Sequence, residues 1–211
     1  MSVHTLRPVL ADALLTLEAA RDELRDLDAA IGDGDLGITI SEGARAIREG
    51  LADLGDDATV GTILRTAAQR FATANPSTMS ALVAGGLLAA SRELGDTDTL
   101  DRAGCLTLLE TATATIQQRG KAELGDKTIL DALVPTIEVL RNAAGDDRTV
   151  LKEMIGAAEE AVAATAGLQS QRGRAAWVGE RTIGHPDGGA TAYLRLLQAI
   201  DRALASSTES D

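Results

Sequence analysis

The chain has 211 residues, 45% of them hydrophobic and 25% charged, with a formal net charge of −12. That length suits one domain with a substantial core, and so acidic a balance excludes a nucleic-acid ligand, which needs a basic surface. The single cysteine excludes an intramolecular disulfide, and no apolar run is long enough for a membrane helix. Because "MSVHTLRPVL" also lacks a signal-peptide pattern, the expected location is cytoplasmic.

Helical periodicity dominates, no stretch alternates as a half-buried strand does, and the expected class is all-α with short antiparallel connections. Aromatic residues are scarce, one each of Phe, Trp and Tyr, so the core must be aliphatic, which suits closely packed helices. The first helix is predicted over 4–25. It runs into "LDAAIGDGDLGITISEGA" at 27–44, which sets Asp28, Asp33 and Asp35 among Gly32, Gly34 and Gly37. A calcium loop starting at Asp33 would need glycine and glutamate where Ile38 and Ala44 stand. There is no Walker loop, and the helical run ahead of the aspartates leaves no strand for a dinucleotide fingerprint. What remains is a set of hard oxygen ligands before a helix predicted over 38–53. Mg2+ takes such ligands together with phosphate oxygens, and the free N–H groups of that helix start suit a phosphate. Spacing alone leaves two readings open, a solvated acidic turn and a metal loop.

Helices are next predicted over 59–73 and 77–94, separated by "ANP". Ser77 is expected to cap the second. With Thr78 it reads either as an ordinary cap or as hydroxyls aimed at an anion. A helix over 98–119 carries Cys105 on an apolar face, where it is expected to pack. "RGKAELGDKTILDALVP" at 119–135 is a glycine-containing loop leading into a helix over 127–143, with Lys127 expected at the surface. Thr149 is expected to open the helix at 149–167. The long connection within "GRAAWVGERTIGHPDGGATAYL" gathers Arg174, Arg181, His185 and Asp187 before a last helix at 188–205, and functional loops often have this composition. His185 reads as a base, a ligand or, more simply, a structural hydrogen-bonder. The tail at 206–211 is expected to be disordered. Gly-Asp pairs recur at 55–56, 95–96, 125–126 and 145–146, where glycine would supply a left-handed position after a helix. No catalytic Ser-His-Asp or Cys-His arrangement is visible, and two histidines are too few for a histidine-rich metal site.

The motifs "DAAIGDGDLG", "GKAELGDKTILDALVP" and "GRAAWVGERTIGHPDGGA" occur in that order. Together they resemble the nucleotide-binding subunit, or domain, of dihydroxyacetone kinases (the DhaL type), over nearly the whole chain. The resemblance implies one domain over 1–211, an eight-helix antiparallel barrel that holds ADP or ATP at one end through two Mg2+ ions. It makes Asp28, Asp33 and Asp35 the metal ligands and turns the backbone of Leu36, Gly37, Ile38 and Thr39 toward the phosphates. Ser77 and Thr78 match a phosphate-contacting hydroxyl pair. Gly120 and Ile129 would border the adenine, with Arg174, Asp187, Gly188 and Gly189 completing the site. Two features depart from the family pattern: Leu36 stands where histidine is common, and "NPSTMS" where a Gly-Gly-Ser-Ser-Gly loop is frequent.

The implied activity is phosphoryl transfer from Mg-nucleotide to dihydroxyacetone or a related short ketose held on a partner subunit. In one branch of the family a phosphotransferase protein recharges the nucleotide in place, and a homodimer is compatible with the resemblance. Two other functions fit the same residues. One is a stand-alone Mg-dependent phosphatase for small phosphate esters, which the altered "NPSTMS" loop motivates. The other is a regulatory module whose partner binding follows its nucleotide state.

Overall fold

The computed structural model describes residues 1–208. It contains α1 (Val3–Glu18), α2 (Arg21–Ala29), α3 (Leu36–Ala52), α4 (Val60–Ala74), α5 (Thr78–Leu94), α6 (Arg102–Gly120), α7 (Leu130–Asn142), α8 (Asp147–Thr165) and α9 (Gly188–Thr208), with a 3-10 segment at Arg174–Thr182. The described residues form no strand beyond one isolated bridge between Ser2 and Thr99.

Helix direction follows from chain reach. The connection at 75–77 spans at most ~11 Å, whereas the 17 residues of α5 measure ~25 Å, so α4 and α5 must run antiparallel. Around the molecule α1, α3, α4, α5, α6, α7, α8 and α9 each pack on the next, and α9 packs back on α1. The result is the expected all-α ring of eight helices, with α2 laid outside against α3 and α9. One aliphatic core fills the half built from α1 to α5, around Leu14, Leu24, Leu36, Ile40, Ile63 and Phe71. A second fills the half built from α6 to α9, around Leu130, Leu133, Val150, Met154 and Leu197. A buried polar contact, Thr136 Oγ1 to the Tyr193 hydroxyl at 2.9 Å, satisfies both groups inside the second core.

Several boundaries differ from the sequence reading. The helix predicted over 4–25 breaks at Ala19–Ala20, where tight turns return N–H groups to Thr16 and Leu17, and α2 leaves in a new direction. The helix predicted from 98 begins at Arg102. Residues 98–100 instead pair with the chain start, through Val3 N–H to Asp98 O and Leu100 N–H to Met1 O, both 2.8 Å. Asp146, not Thr149, caps α8, its carboxylate accepting the Thr149 N–H at 2.9 Å. The turn before α7 delays that helix to Leu130. Residues 206–208 belong to α9 rather than to a disordered tail, and 209–211 lie outside the described residues. Of the four Gly-Asp glycines, Gly95, Gly125 and Gly145 have positive φ as expected, whereas Gly55 does not. Cys105 is part-buried, and burial pushes its thiol up to about 11.

Helices α4 and α5 approach closely at Gly61, where a Cβ would collide with the Gly95 carbonyl and lie 2.8 Å from that of Ser91. Backbone atoms cannot swing aside. Gly61→Ala is therefore expected to destabilise the protein by about 1–3 kcal/mol, read as a lower urea midpoint with an unchanged slope.

Candidate functional site

Asp28 is the penultimate residue of α2, and the N–H groups of Ile31 and Gly32 fold back onto its carbonyl at 3.0 and 2.5 Å. Any side chain at Gly32 would collide with the Asp28 carboxylate, and Gly34 adopts φ +76°. These two glycines let the loop curl so that Asp33 and Asp35 come back beside Asp28. One carboxylate oxygen from each aspartate lies within 4.8 Å of the other two.

Two groups already answer this concentration of charge. The Leu36 N–H donates to Asp28 Oδ2 at 3.3 Å. The guanidinium of Arg174 pairs with both Asp33 and Asp35, at 2.9 Å from the latter. Burial, then the neighbouring Asp28 charge, pushes the Asp35 carboxyl above its ordinary value. The cluster stays open to solvent, with the Asp33 and Asp35 side chains 49% and 43% exposed. Three all-oxygen donors around a place that already attracts a cation fit a hard divalent ion such as Mg2+.

The other predicted residues assemble around this loop through the helix starts. A Cβ at Gly37 would collide with the carbonyl of Arg21, the first residue of α2, so α2 packs against the start of α3 two residues beyond Asp35. Leu36 lies against Gly188, at 2.5 Å from where a Cβ would stand, and Gly189 lies likewise at 3.5 Å from Ile129. The starts of α3, α9 and α7 therefore meet. Thr39 Oγ1 donates to Asn75 Oδ1 at 3.2 Å, and the Asn75 amide donates to Glu42 at 3.3 Å, drawing the loop ahead of Ser77 and Thr78 onto α3. Ser77 caps α5 in a reciprocal box with Ser80, as its position predicts. Gly120, at the end of α6, adjoins Leu82 of α5. Ile38 sits in the first turn of α3. His185 is half-buried, and its backbone N–H reaches the Thr182 carbonyl at 3.4 Å. The site is an open barrel end. A separate cleft of about 500 Å³ between α1, α2 and α9 is lined by Thr16, Glu23, Arg195 and Arg202, away from the aspartates.

Helix capping separates the two ends of the barrel. At the far end α1, α4, α6 and α8 begin under side-chain caps from Ser2, Thr59, Asp101 and Asp146. At the aspartate end α5 is capped by Ser77, and Asp187 accepts the Ala190 N–H of α9 at 2.7 Å. At α3 and α7 the residues in the capping position, Asp35 and Ile129, give no side-chain hydrogen bond; the first N–H groups go instead to Asp28 Oδ2 in α3 and to Thr128 Oγ1, at 3.2 Å, in α7. The Asp131, Ala132 and Leu133 N–H groups of α7 also reach the Thr128 and Ile129 carbonyls, so of the two starts it is that of α3, beyond Leu36, that can present N–H groups to an anion.

Lys127 overturns the expectation of a surface lysine. It is 2% exposed, has φ +62°, and donates to the carbonyls of Leu168 and Thr182 at 3.0 and 2.5 Å. Burial holds its ammonium below the usual lysine range, with Asp187 opposing. Asp131, also missed, accepts the N–H groups of Gly125 and Thr128 at 2.6 and 2.7 Å and so shapes the same turn. The only sequence signal for either was the dense "GDKTILD" string itself.

Asp187 binds the Thr165 hydroxyl through its N–H at 2.9 Å. Burial pushes its carboxyl up to about 6; the Ala190 N–H and Lys127 oppose that rise and Asp131 adds to it. The folded protein thus holds a proton that the unfolded chain, titrating near 3.8, releases. This group's contribution to stability is full below that value and is lost as pH rises through about 6. Asp187→Asn, which keeps a capping oxygen, is expected to flatten a decline of order 2–3 kcal/mol between pH 4 and 6, measured by urea unfolding across that range.

The DAK2 domain family model matches residues 30–202. The chain is 33% identical over 199 residues to D-erythrulose kinase of Mycolicibacterium smegmatis, covering 92% of this chain and 34% of that protein. It is also 33% identical over 196 residues to the PEP-dependent dihydroxyacetone kinase 2, ADP-binding subunit DhaL, of Listeria innocua, covering 91% of this chain and 90% of that one. It thus spans about a third of the first relative and nearly all of the second. A crystal structure of the dihydroxyacetone kinase from C. freundii in complex with AMP-PNP and Mg2+ shares the fold, with a TM-score of 0.77 at 22% identity over 96% of this chain and 34% of that chain. With its three aspartates, its closed helical ring and these matches, the chain belongs to the DAK2 domain family.

Proposed function

We propose that the chain is the nucleotide-binding unit of a short-ketose kinase, taking ADP or ATP with Mg2+ at the aspartate end of the barrel. The observation that carries this reading is the meeting of Asp28, Asp33 and Asp35 within 4.8 Å beside the start of α3, whose capping residue Asp35 makes no side-chain cap. The names of its relatives support it, since they include a DhaL ADP-binding subunit and an erythrulose kinase. The acceptor is dihydroxyacetone, erythrulose or a similar ketose, presented by a ketose-binding partner subunit or domain. The donor is ATP or a phosphotransferase protein that recharges bound ADP in place, the second being supported by a relative named as PEP-dependent and ADP-binding. We take 1–211 as one domain working in the cytoplasm, as a homodimer or as a single copy beside its partner.

Within this reading Asp28, Asp33 and Asp35 hold two Mg2+ ions. The ions would neutralise charge on the phosphate oxygens during transfer. The backbone of Leu36 to Thr39 binds phosphate at the uncapped start of α3, and Ser77 with Thr78 borders it from α5. Ile129, Gly120 and the Asp187–Gly189 turn bound the nucleoside. Gly188 and Gly189 serve there by having no side chain, as Leu36 and Ile129 occupy the space. Arg174 orients the carboxylates and supplies a positive charge facing the phosphates.

Mg-ADP at about 100 times its Kd is expected to stabilise the protein by ~2.7 kcal/mol, a rise in Tm of roughly 5–10 °C for a domain of this size. Asp33→Asn should keep the fold and lose the rise. A thermal scan without any shift in the parent protein would reject the nucleotide site.

A further inference from the structure

The 22-residue stretch between α8 and α9 is pinned at its neck. Gly184 N–H donates to Ala166 O at 2.7 Å, Ser170 N–H to Thr182 Oγ1 at 3.0 Å, and the Lys127 ammonium reaches the carbonyls of both Leu168 and Thr182. One side of the loop is tied to the turn carrying Lys127, through Gln171 N–H to Asp126 O at 3.0 Å and Arg172 Nε to Asp126 Oδ2 at 2.7 Å. The head holds Arg174 against Asp33 and Asp35. A buried ammonium needs its donors filled, and a non-glycine residue at φ +62° persists only when its surroundings hold it there. Both conditions are met by the loop that Lys127 clasps.

We propose that Lys127 is a positioning residue: by clasping the Leu168 and Thr182 carbonyls it closes the neck of the Ala166–Gly184 loop and so seats Arg174 on the aspartate cluster. The clasp is independent of any ligand. Its effect on nucleotide binding rests on the function proposed above.

The chain carries its own probe. Trp177 is its only tryptophan, lies three residues beyond Arg174 and is 87% exposed. In Lys127→Met, which keeps the length and apolar stem but not the donors, the time-resolved fluorescence anisotropy of Trp177 without nucleotide is expected to gain a fast segmental component while far-UV circular dichroism is unchanged. Mg-ADP affinity should fall on the order of tenfold in the parent background, yet less than about twofold further in Arg174→Ala, because the two residues act through one contact. Unchanged Trp177 motion overturns the proposal, and so does a full tenfold further loss in the Arg174→Ala background. If Lys127→Met does not fold, Lys127→Gln carries the same measurements, since its shorter amide loses at least one carbonyl. Should the parent protein bind no Mg-ADP, the function above fails and the anisotropy alone decides the clasp.

Discussion

Three carboxylates held within 4.8 Å of one another repel, and the aspartate end of the barrel is arranged around that repulsion. A continuous helix from residue 4 to 29 would carry Asp28 away along its own axis. The break at Ala19–Ala20 lets α2 turn across α3 and α9 and deliver Asp28 to the start of α3. The compensating charge comes from Arg174, 139 residues from Asp35, which explains why so long a connection precedes α9. The chain must hold that connection firmly, and it does so with a buried lysine, two backbone carbonyls and an aspartate whose carboxyl burial raises.

The parts of this arrangement that are local were legible in the sequence. Closure into a ring was implied by the family resemblance, whereas apolar periodicity itself marked eight helical stretches, because a 3.6-residue repeat is written within each helix. The cap at Ser77 was legible for the same reason. The aspartate loop announced itself through interleaved glycines, although its spacing alone allowed a solvated turn. Illegible were features set by distant partners. Nothing near Ala19–Ala20 is a helix breaker, so the break reflects what α2 packs on rather than what it contains. Lys127, flanked by Asp126 and Thr128, looks like a surface residue until carbonyls 41 and 55 positions away close over it. Thr149 and Asp146 are both capping types three residues apart, and the carboxylate takes the role while the threonine donates to it.

Ring closure accounts for how this unit recurs among its relatives, as 90% of one protein and 34% of another. A helix at the edge of an open layer would leave an apolar face needing cover. Here α1 and α9 cover each other along a seam of small residues, Ala13, Ala199 and Ala203, beside Val9. A ring whose last member packs on its first buries its own faces and joins longer chains without rebuilding its core.

The uneven capping of the two barrel ends also bears on how firmly each end is folded. A missing side-chain cap forfeits about 1 kcal/mol at a helix start. At the aspartate end the start of α3, whose capping residue Asp35 makes no such bond, is therefore softer than the four capped starts at the far end. An anion seated there would supply acceptors to the N–H groups beyond that of Leu36, which Asp28 already serves, and would act as the missing cap. The N–H groups that would recognise the ligand are the same ones through which the ligand would finish the fold.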